Sequence, residues 1–152
     1  MKRDDLLTCD DNALLAECRL DFFKATGKGG QKRNKTSSAV RIIHIPTGIQ
    51  ATDCAERSQL RNRGNALKKL RYELAFNLRE PFGEPPEPGR LRPIDTARLF
   101  DLFDEVGFNH AAAAERLGIA PSKLLKTLNR EPGIFAFFNE CRVRRGLGVL
   151  HC

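Results

Sequence analysis

The residues with the most unusual chemistry in this chain form one short segment that combines closely spaced glycines with dense positive charge. It reads Thr26-Gly27-Lys28-Gly29-Gly30-Gln31-Lys32-Arg33-Asn34-Lys35 and contains almost no apolar side chain. This composition predicts a long flexible loop. It is not a Walker phosphate-binding loop, because Gly29 stands where that motif requires Ser or Thr. The chain has no G-x-S-x-G motif and no suggested pairing of His with Ser or Cys, so no side-chain nucleophile is indicated.

Positive charge is concentrated around this segment. Residues 24–71 contain twelve Lys or Arg and two Asp or Glu, a net charge of +10 in a chain whose total is +7. Such a charge density opposes compaction unless a polyanion neutralises it, so the sequence predicts binding to nucleic acid. A solvated basic face without a ligand is the alternative.

The order of the sequence patterns predicts two domains joined by a linker. Residues 1–80 mix strand and helix patterns, whereas residues 93–152 are helical throughout. Between them, residues 81–92 hold four prolines and two glycines, which is typical of a semi-extended linker. The predicted fold class is therefore α+β, a small domain with few strands and a long packed helix, followed by a small all-α module.

Within the first predicted domain, hydrophobic periodicity places four elements. We expect a short helix over residues 4–17, a strand over 18–25 and a β-hairpin over 40–54. A long helix is expected over residues 55–79, with its leucines on one stripe and three cations on the flank of that stripe: Arg57, Arg61 and Lys68.

The segment 24–42 closely resembles the signature loop of class I peptide-chain release factors. The tripeptide Gly29-Gly30-Gln31 alone would be weak evidence, but Gly27, Asn34-Lys35, Pro46-Thr47-Gly48 and Arg57-Ser58 accompany it in order. The resemblance covers about residues 18–75, half of the chain. The chain departs from complete release factors because it contains no Ser-Pro-Phe or Pro-x-Thr codon-reading element. In this it is similar to the small ribosome-rescue hydrolases, which act without a codon.

This resemblance implies hydrolysis of the peptidyl-tRNA ester in the ribosomal peptidyl-transferase centre. It assigns catalysis to Gly29, Gly30 and Gln31 in a catalytic domain of residues 1–80. Two residues without Cβ let the backbone approach the tRNA 3′ end, and the backbone N–H of Gln31 donates to the developing oxyanion. The residues expected to contact rRNA and tRNA are largely basic: Lys24, Lys28, Lys32, Arg33, Asn34, Lys35, Arg57, Arg61 and Lys68.

The partners implied are the ribosome, through 23S rRNA and the P-site peptidyl-tRNA, and a Gln methyltransferase acting on Gln31. No cofactor and no metal site are expected. No apolar run approaches the roughly 18 residues of a membrane span, and the charged start of the chain does not resemble a secretory signal. The five cysteines form no C-x-x-C pair and are expected to be reduced. We therefore expect a cytoplasmic monomer without membrane attachment.

The helical module of residues 93–152 resembles a helix-turn-helix. Asp95 is expected to cap its first helix, Asn109 its second, and Pro121 to open its third. The cations expected to contact a ligand are Lys123, Lys126, Arg130, Arg142, Arg144 and Arg145. The net charge of the module is only +1, so binding to rRNA or a ribosomal protein and readout of duplex DNA both stay open. A non-catalytic RNA-binding protein and a DNA-binding regulator are the alternatives to a hydrolase.

Overall fold

The computed structural model of the chain describes residues 1–24 and 38–152. They form two compact units, residues 1–74 and residues 75–152. The first unit contains a small antiparallel sheet with short and long helices, and the second is helical. The predicted α+β class, a small sheet domain followed by a helical module, is confirmed.

Three antiparallel strands make the sheet in the order β1-β2-β3: β1 is Cys18–Phe23, β2 is Ala39–His44 and β3 is Gln50–Asp53. Buried and more exposed positions alternate from Val40 to His44 in β2 and along β3, so one face packs inward. The predicted turn joins these two strands. There Gly48 takes a φ of +72° and donates its N–H to the His44 carbonyl over 2.8 Å. The register places Phe23 opposite Ala39. The two strand ends that flank residues 24–38 are therefore neighbours at one end of the sheet.

The start of the chain forms two short helices, α1 at Arg3–Thr8 and α2 at Asp11–Leu15, and the predicted single helix over 4–17 was wrong. Asp10 interrupts it, because its side chain accepts a hydrogen bond from the Ala13 N–H over 2.8 Å and caps α2. Arg71 fixes the turn between the two helices by donating to the carbonyls of Leu6 and Cys9, each over 2.8 Å.

The long helix, α3, spans Gln59–Asn77 and begins four residues later than predicted. Ser58 sets this start, because its hydroxyl accepts a hydrogen bond from the Arg61 N–H over 3.3 Å in the manner of an N-cap. The leucines of the middle of the helix are buried, as predicted, whereas Leu60 in its first turn is 75% exposed. Gly64 costs the helix about 1 kcal/mol relative to alanine, yet α3 continues through it without a break.

Four helices complete the second unit: α4 (Pro93–Glu105), α5 (His110–Leu117), α6 (Pro121–Asn129) and α7 (Pro132–Arg144). The side chain of Asn109 caps α5 and left-handed Gly118 ends it, as predicted. Phenylalanines form the core of the unit, with ring centroids 4.6–6.0 Å apart: Phe100, Phe103, Phe108 and Phe138. Within the described ranges of the chain, no helix has the length and apolar character needed to cross a bilayer.

The proline-rich segment packs against the helices of the second unit. It borders a groove of about 430 Å³ together with the apolar side chains of Leu99, Leu117 and Leu124. Buried Asp95 fastens the segment by accepting hydrogen bonds from the Glu87 N–H over 2.9 Å and the Arg92 Nε over 2.7 Å. Asp95 is thus not the cap of α4, which begins two residues earlier at Pro93. The predicted limits of the two domains at residues 80 and 93 stay a prediction.

Acidification is expected to loosen this attachment. Burial alone would raise the pKa of Asp95, but the hydrogen bonds from Arg92 and the Glu87 N–H outweigh burial and hold that pKa below its ordinary value. A carboxylate with a lowered pKa stabilises the fold above its ordinary pKa, and the stabilisation is lost as the pH falls through the folded value. Asp95→Asn should therefore lower the urea midpoint of the helical unit at pH 7. The gap to wild type should narrow as the pH falls below the ordinary pKa of aspartate, because the stabilisation is lost as Asp95 is protonated, and a gap that stays constant down to pH 2 would exclude this role of Asp95.

Candidate nucleic-acid interface

The catalytic residues expected from the sequence lie outside the described residues, whereas both flanks of their segment are described. Gly29, Gly30 and Gln31 belong to residues 25–37, as do five expected contact residues: Lys28, Lys32, Arg33, Asn34 and Lys35. Lys24, just after β1, is exposed, and buried Ser38 leads directly into β2. The sheet register therefore places the described residues on either side of 25–37 next to each other at one end of the sheet.

Asn62 on α3 anchors Ser38, the first described residue after that segment. Its side chain is fully buried, and its Nδ2 donates to the Ser38 carbonyl over 2.7 Å and to the Glu56 carbonyl over 2.8 Å. Its Oδ1 accepts from the Glu56 N–H over 2.9 Å. One amide thus satisfies three backbone groups and joins the start of β2, the approach to α3 and α3 itself. Sequence reasoning missed this residue.

A second link joins the end of β3 to α3. Asp53 is buried, and Lys69 Nζ lies 2.5 Å from its Oδ1 while the Asn65 side chain donates to its Oδ2 over 3.2 Å. Burial by itself would raise the pKa of Asp53, but the hydrogen bonds from Lys69 and Asn65 outweigh it and lower that pKa. Lys69 belongs to the most basic part of the sequence, but its charge is used inside the fold, in the ion pair with Asp53.

The three cations expected at the long helix are all exposed. Arg61 and Lys68 lie seven residues apart on α3, so they share one side of it. Arg57 precedes the first residue of α3, so its expected place on a helical flank was wrong. Arg61 Nη1 lies 3.9 Å from the Glu56 carboxylate, and among the described residues no carboxylate pairs with Arg57 or Lys68. At Arg57 and Lys68 this surface presents positive charge that no described carboxylate neutralises.

His44 has a structural place in the sheet. It is 1% exposed, with Nδ1 2.7 Å from Thr47 Oγ1 and Nε2 3.0 Å from Glu17 Oε2. The hydrogen bond with His44 is the main reason that the pKa of Glu17 lies below its ordinary value. The ring thus ties the hairpin turn to the residue before β1.

The helical unit presents its expected cations in two different ways. Lys123 and Lys126 on α6 are exposed, and neither pairs with a carboxylate in the ranges that the structure describes. Arg130, just after α6, is exposed but donates to the Gly89 carbonyl. The two lysines are therefore the α6 cations left for an external partner.

Arg142 was expected on this surface, and that expectation was wrong. It is buried, and it donates from Nη1 to the Phe108 carbonyl over 2.6 Å and from Nε to the Gly148 carbonyl over 2.9 Å. Phe108 has a left-handed φ of +59°, so Arg142 holds an unusual turn in place. Arg144 pairs with Glu140 over 2.9 Å, and Arg145 pairs with Asp104 over 2.7 Å.

These observations define a small basic α+β domain that carries a glycine-rich segment between two neighbouring strands and is joined to a helical unit. The model of the RF-1 domain family matches residues 13–90, just over half of the chain. The chain therefore belongs to the RF-1 domain family. This finding confirms the resemblance to class I release factors.

Curated relatives agree with this assignment. The chain is 44% identical over 116 residues to peptide chain release factor 1 of Corynebacterium efficiens, a match that covers 76% of this chain and 32% of the relative. It is 51% identical over 67 residues to peptide chain release factor 2 of Lactiplantibacillus plantarum, covering 44% of this chain and 18% of the relative. The chain is 34% identical over 109 residues to peptide chain release factor 1 of Enterococcus faecalis, a match that covers 71% of this chain and 30% of the relative. The chain spans about a fifth to a third of the length of these relatives.

Proposed function

We propose that this chain hydrolyses the ester of peptidyl-tRNA in the peptidyl-transferase centre and does so without reading a codon, releasing peptides from stalled ribosomes. The observation that carries the proposal is the sequence Gly29-Gly30-Gln31 in a member of the RF-1 domain family. Codon independence is proposed for these 152 residues because none of them forms a Ser-Pro-Phe or Pro-x-Thr element.

The proposed chemistry relies on the backbone and not on a side-chain base. The Gln31 N–H donates to the oxyanion that develops when water attacks the ester carbon, and the Gln31 side chain lines the pocket that admits that water. Gly29 and Gly30, which lack Cβ, allow the chain to lie close to the tRNA 3′ end. Positioning of the ester against water is the main contribution to the rate of hydrolysis. Gln31 is also the proposed acceptor of a methyl group from a Gln methyltransferase.

The proposed ribosome surface of the first unit consists of its exposed cations. Lys24 stands at one flank of the catalytic segment, and Arg57, Arg61 and Lys68 lie at the start and along the exposed side of α3. Their chemistry suits rRNA phosphate, which releases counterions when it is bound by Lys or Arg. In the helical unit the main proposed contacts are Lys123 and Lys126. Arg130, Arg144 and Arg145 contribute less, because each is held by an internal partner within 2.9 Å, whereas Arg61 lies 3.9 Å from Glu56.

Neutralising Arg57, Arg61 and Lys68 together to Gln should weaken ribosome binding and lower the slope of log affinity against log salt by about 2–3, about one for each lost phosphate contact. The measurement is the dissociation constant for vacant 70S ribosomes at several salt concentrations. The control removes three other surface charges, at Lys2, Arg19 and Arg90, and should leave the slope unchanged. An unchanged slope in the first variant would show that these cations form a solvated face.

The proposed function is tested by its independence of the codon. Single-turnover release of labelled peptide is compared on ribosomes that carry a stop codon, a sense codon or an empty A site. We expect equal rates in all three cases. A strong preference of the isolated chain for the stop codon would contradict the proposal. Release in none of the three would favour a non-catalytic RNA-binding protein, and tight binding to one duplex DNA sequence would favour a regulator.

A further inference from the structure

Gly64 occupies a position in α3 that the fold itself does not explain. It lies well inside the helix and is exposed, and its φ is not in the left-handed region that favours glycine. A Cβ built on it would meet no atom within 4 Å. Alanine would therefore fit without a clash and would favour the helix, because glycine loses more conformational freedom on folding. Neither backbone geometry nor internal packing accounts for the missing side chain.

The neighbours of Gly64 point to an external partner. Arg61 stands one turn before it and Lys68 one turn after it, about 4.5 Å and 6 Å away along the helix axis. Leu60, also one turn before, is 75% exposed and so offers an apolar contact beside the glycine. The bare backbone at Gly64 thus lies between two cations and beside an uncovered leucine.

We infer that Gly64 is the point where the sugar–phosphate backbone of an RNA strand makes its closest approach to α3. Arg61 and Lys68 then contact phosphates on the two sides of the glycine, and Leu60 packs against the sugar. RNA fits better than a protein partner because the surrounding residues 24–71 carry a net charge of +10. RNA helices are recognised largely by shape and backbone contacts, which a flat spot flanked by cations provides. This inference rests on the proposed function, since it takes the ribosome as the source of the RNA.

The added methyl group of Gly64→Ala would hold the strand away from the helix and lengthen both phosphate contacts. We expect this variant to unfold at a higher temperature than wild type and to bind vacant 70S ribosomes about threefold to tenfold more weakly, with a lower salt slope. Gly133→Ala is the matched control, because Gly133 is also an exposed helical glycine whose Cβ would meet nothing within 4 Å. The control should leave ribosome affinity unchanged.

A second variant pair separates a local contact from a general disturbance. In the background Arg61→Gln with Lys68→Gln, the effect of Gly64→Ala on affinity should shrink, because the contacts that the methyl group lengthens are already lost. Unchanged affinity of Gly64→Ala in the wild-type background would overturn the inference and leave the proposed function intact. A full additive loss in the double-variant background would also overturn it. Failure of the wild-type chain to bind ribosomes would overturn the proposed function as well.

Discussion

Replacement of Gly30 with alanine is expected to lower the rate of peptide release by about 10²–10³-fold, the size of effect seen when one oxyanion donor is removed. In the proposed mechanism, the added Cβ would restrict the backbone angles and keep the chain from the ester, so that the Gln31 N–H would no longer reach the oxyanion. The interaction is formed in the transition state, so the loss should appear in the single-turnover rate at saturating enzyme. Ribosome affinity should stay close to that of wild type.

The control for this variant is Gly83→Ala. Gly83 is exposed, and a Cβ there would meet nothing within 4 Å. It should release peptide at the wild-type rate. Near-normal release by Gly30→Ala would refute the backbone mechanism, whereas parallel loss of release and of ribosome binding would show that Gly30 acts in binding and not in catalysis.

The second large effect is expected at Asn62. Asn62→Ala leaves the carbonyls of Ser38 and Glu56 and the Glu56 N–H without their buried partner. Leaving a buried polar group unsatisfied costs about 1–3 kcal/mol, and some of these groups can rebind water, so we expect a loss of about 3 kcal/mol in the free energy of unfolding. Because Asn62 holds Ser38, which directly follows the segment that contains the proposed catalytic residues, we expect release to slow as well at temperatures where the variant is folded.

Tyrosine fluorescence can follow this unfolding. Tyr72 is the single tyrosine in a chain without tryptophan, and it lies in the first unit. Asn65→Ala is the control, because Asn65 is exposed and makes one hydrogen bond to Asp53, so its loss should be about 1 kcal/mol. Asn62→Asp should also be destabilising, since a carboxylate cannot donate to two carbonyls. Equal stabilities of Asn62→Ala and Asn65→Ala would exclude the anchoring role.

Local patterns were enough to predict the sheet and most helices. Alternating side chains and the Pro46-Thr47-Gly48 turn specify the hairpin, and Asn109 and Gly118 bound α5 by local capping. The single helix expected over 4–17 was wrong for two reasons: Asp10 caps α2 locally, and Arg71, more than fifty residues away in sequence, donates to the carbonyls of Leu6 in α1 and Cys9 just after it. The contact of Arg71 could not be predicted from the local propensities of residues 4–17.

The cations of the interface were predicted by residue type, but their roles were not. Arg142 is as basic as Arg144, yet it is buried against two carbonyls, and every residue carries a carbonyl, so its partners leave no mark in the sequence. The same holds for Asn62, whose three partners are all backbone groups. The start of α3 could have been predicted from Ser58, because serine is a preferred N-cap residue. A helix capped by Ser58 leaves Arg57 outside α3.

We propose that this chain alone cleaves peptidyl-tRNA on ribosomes that present no stop codon. The most direct measurement is the release of labelled peptide from ribosomes stalled at the 3′ end of an mRNA without a stop codon, with the chain in excess. The account predicts complete release in a single exponential phase by wild type and almost none by Gly30→Ala. Ribosome binding by the wild-type chain with no release above spontaneous hydrolysis would contradict it.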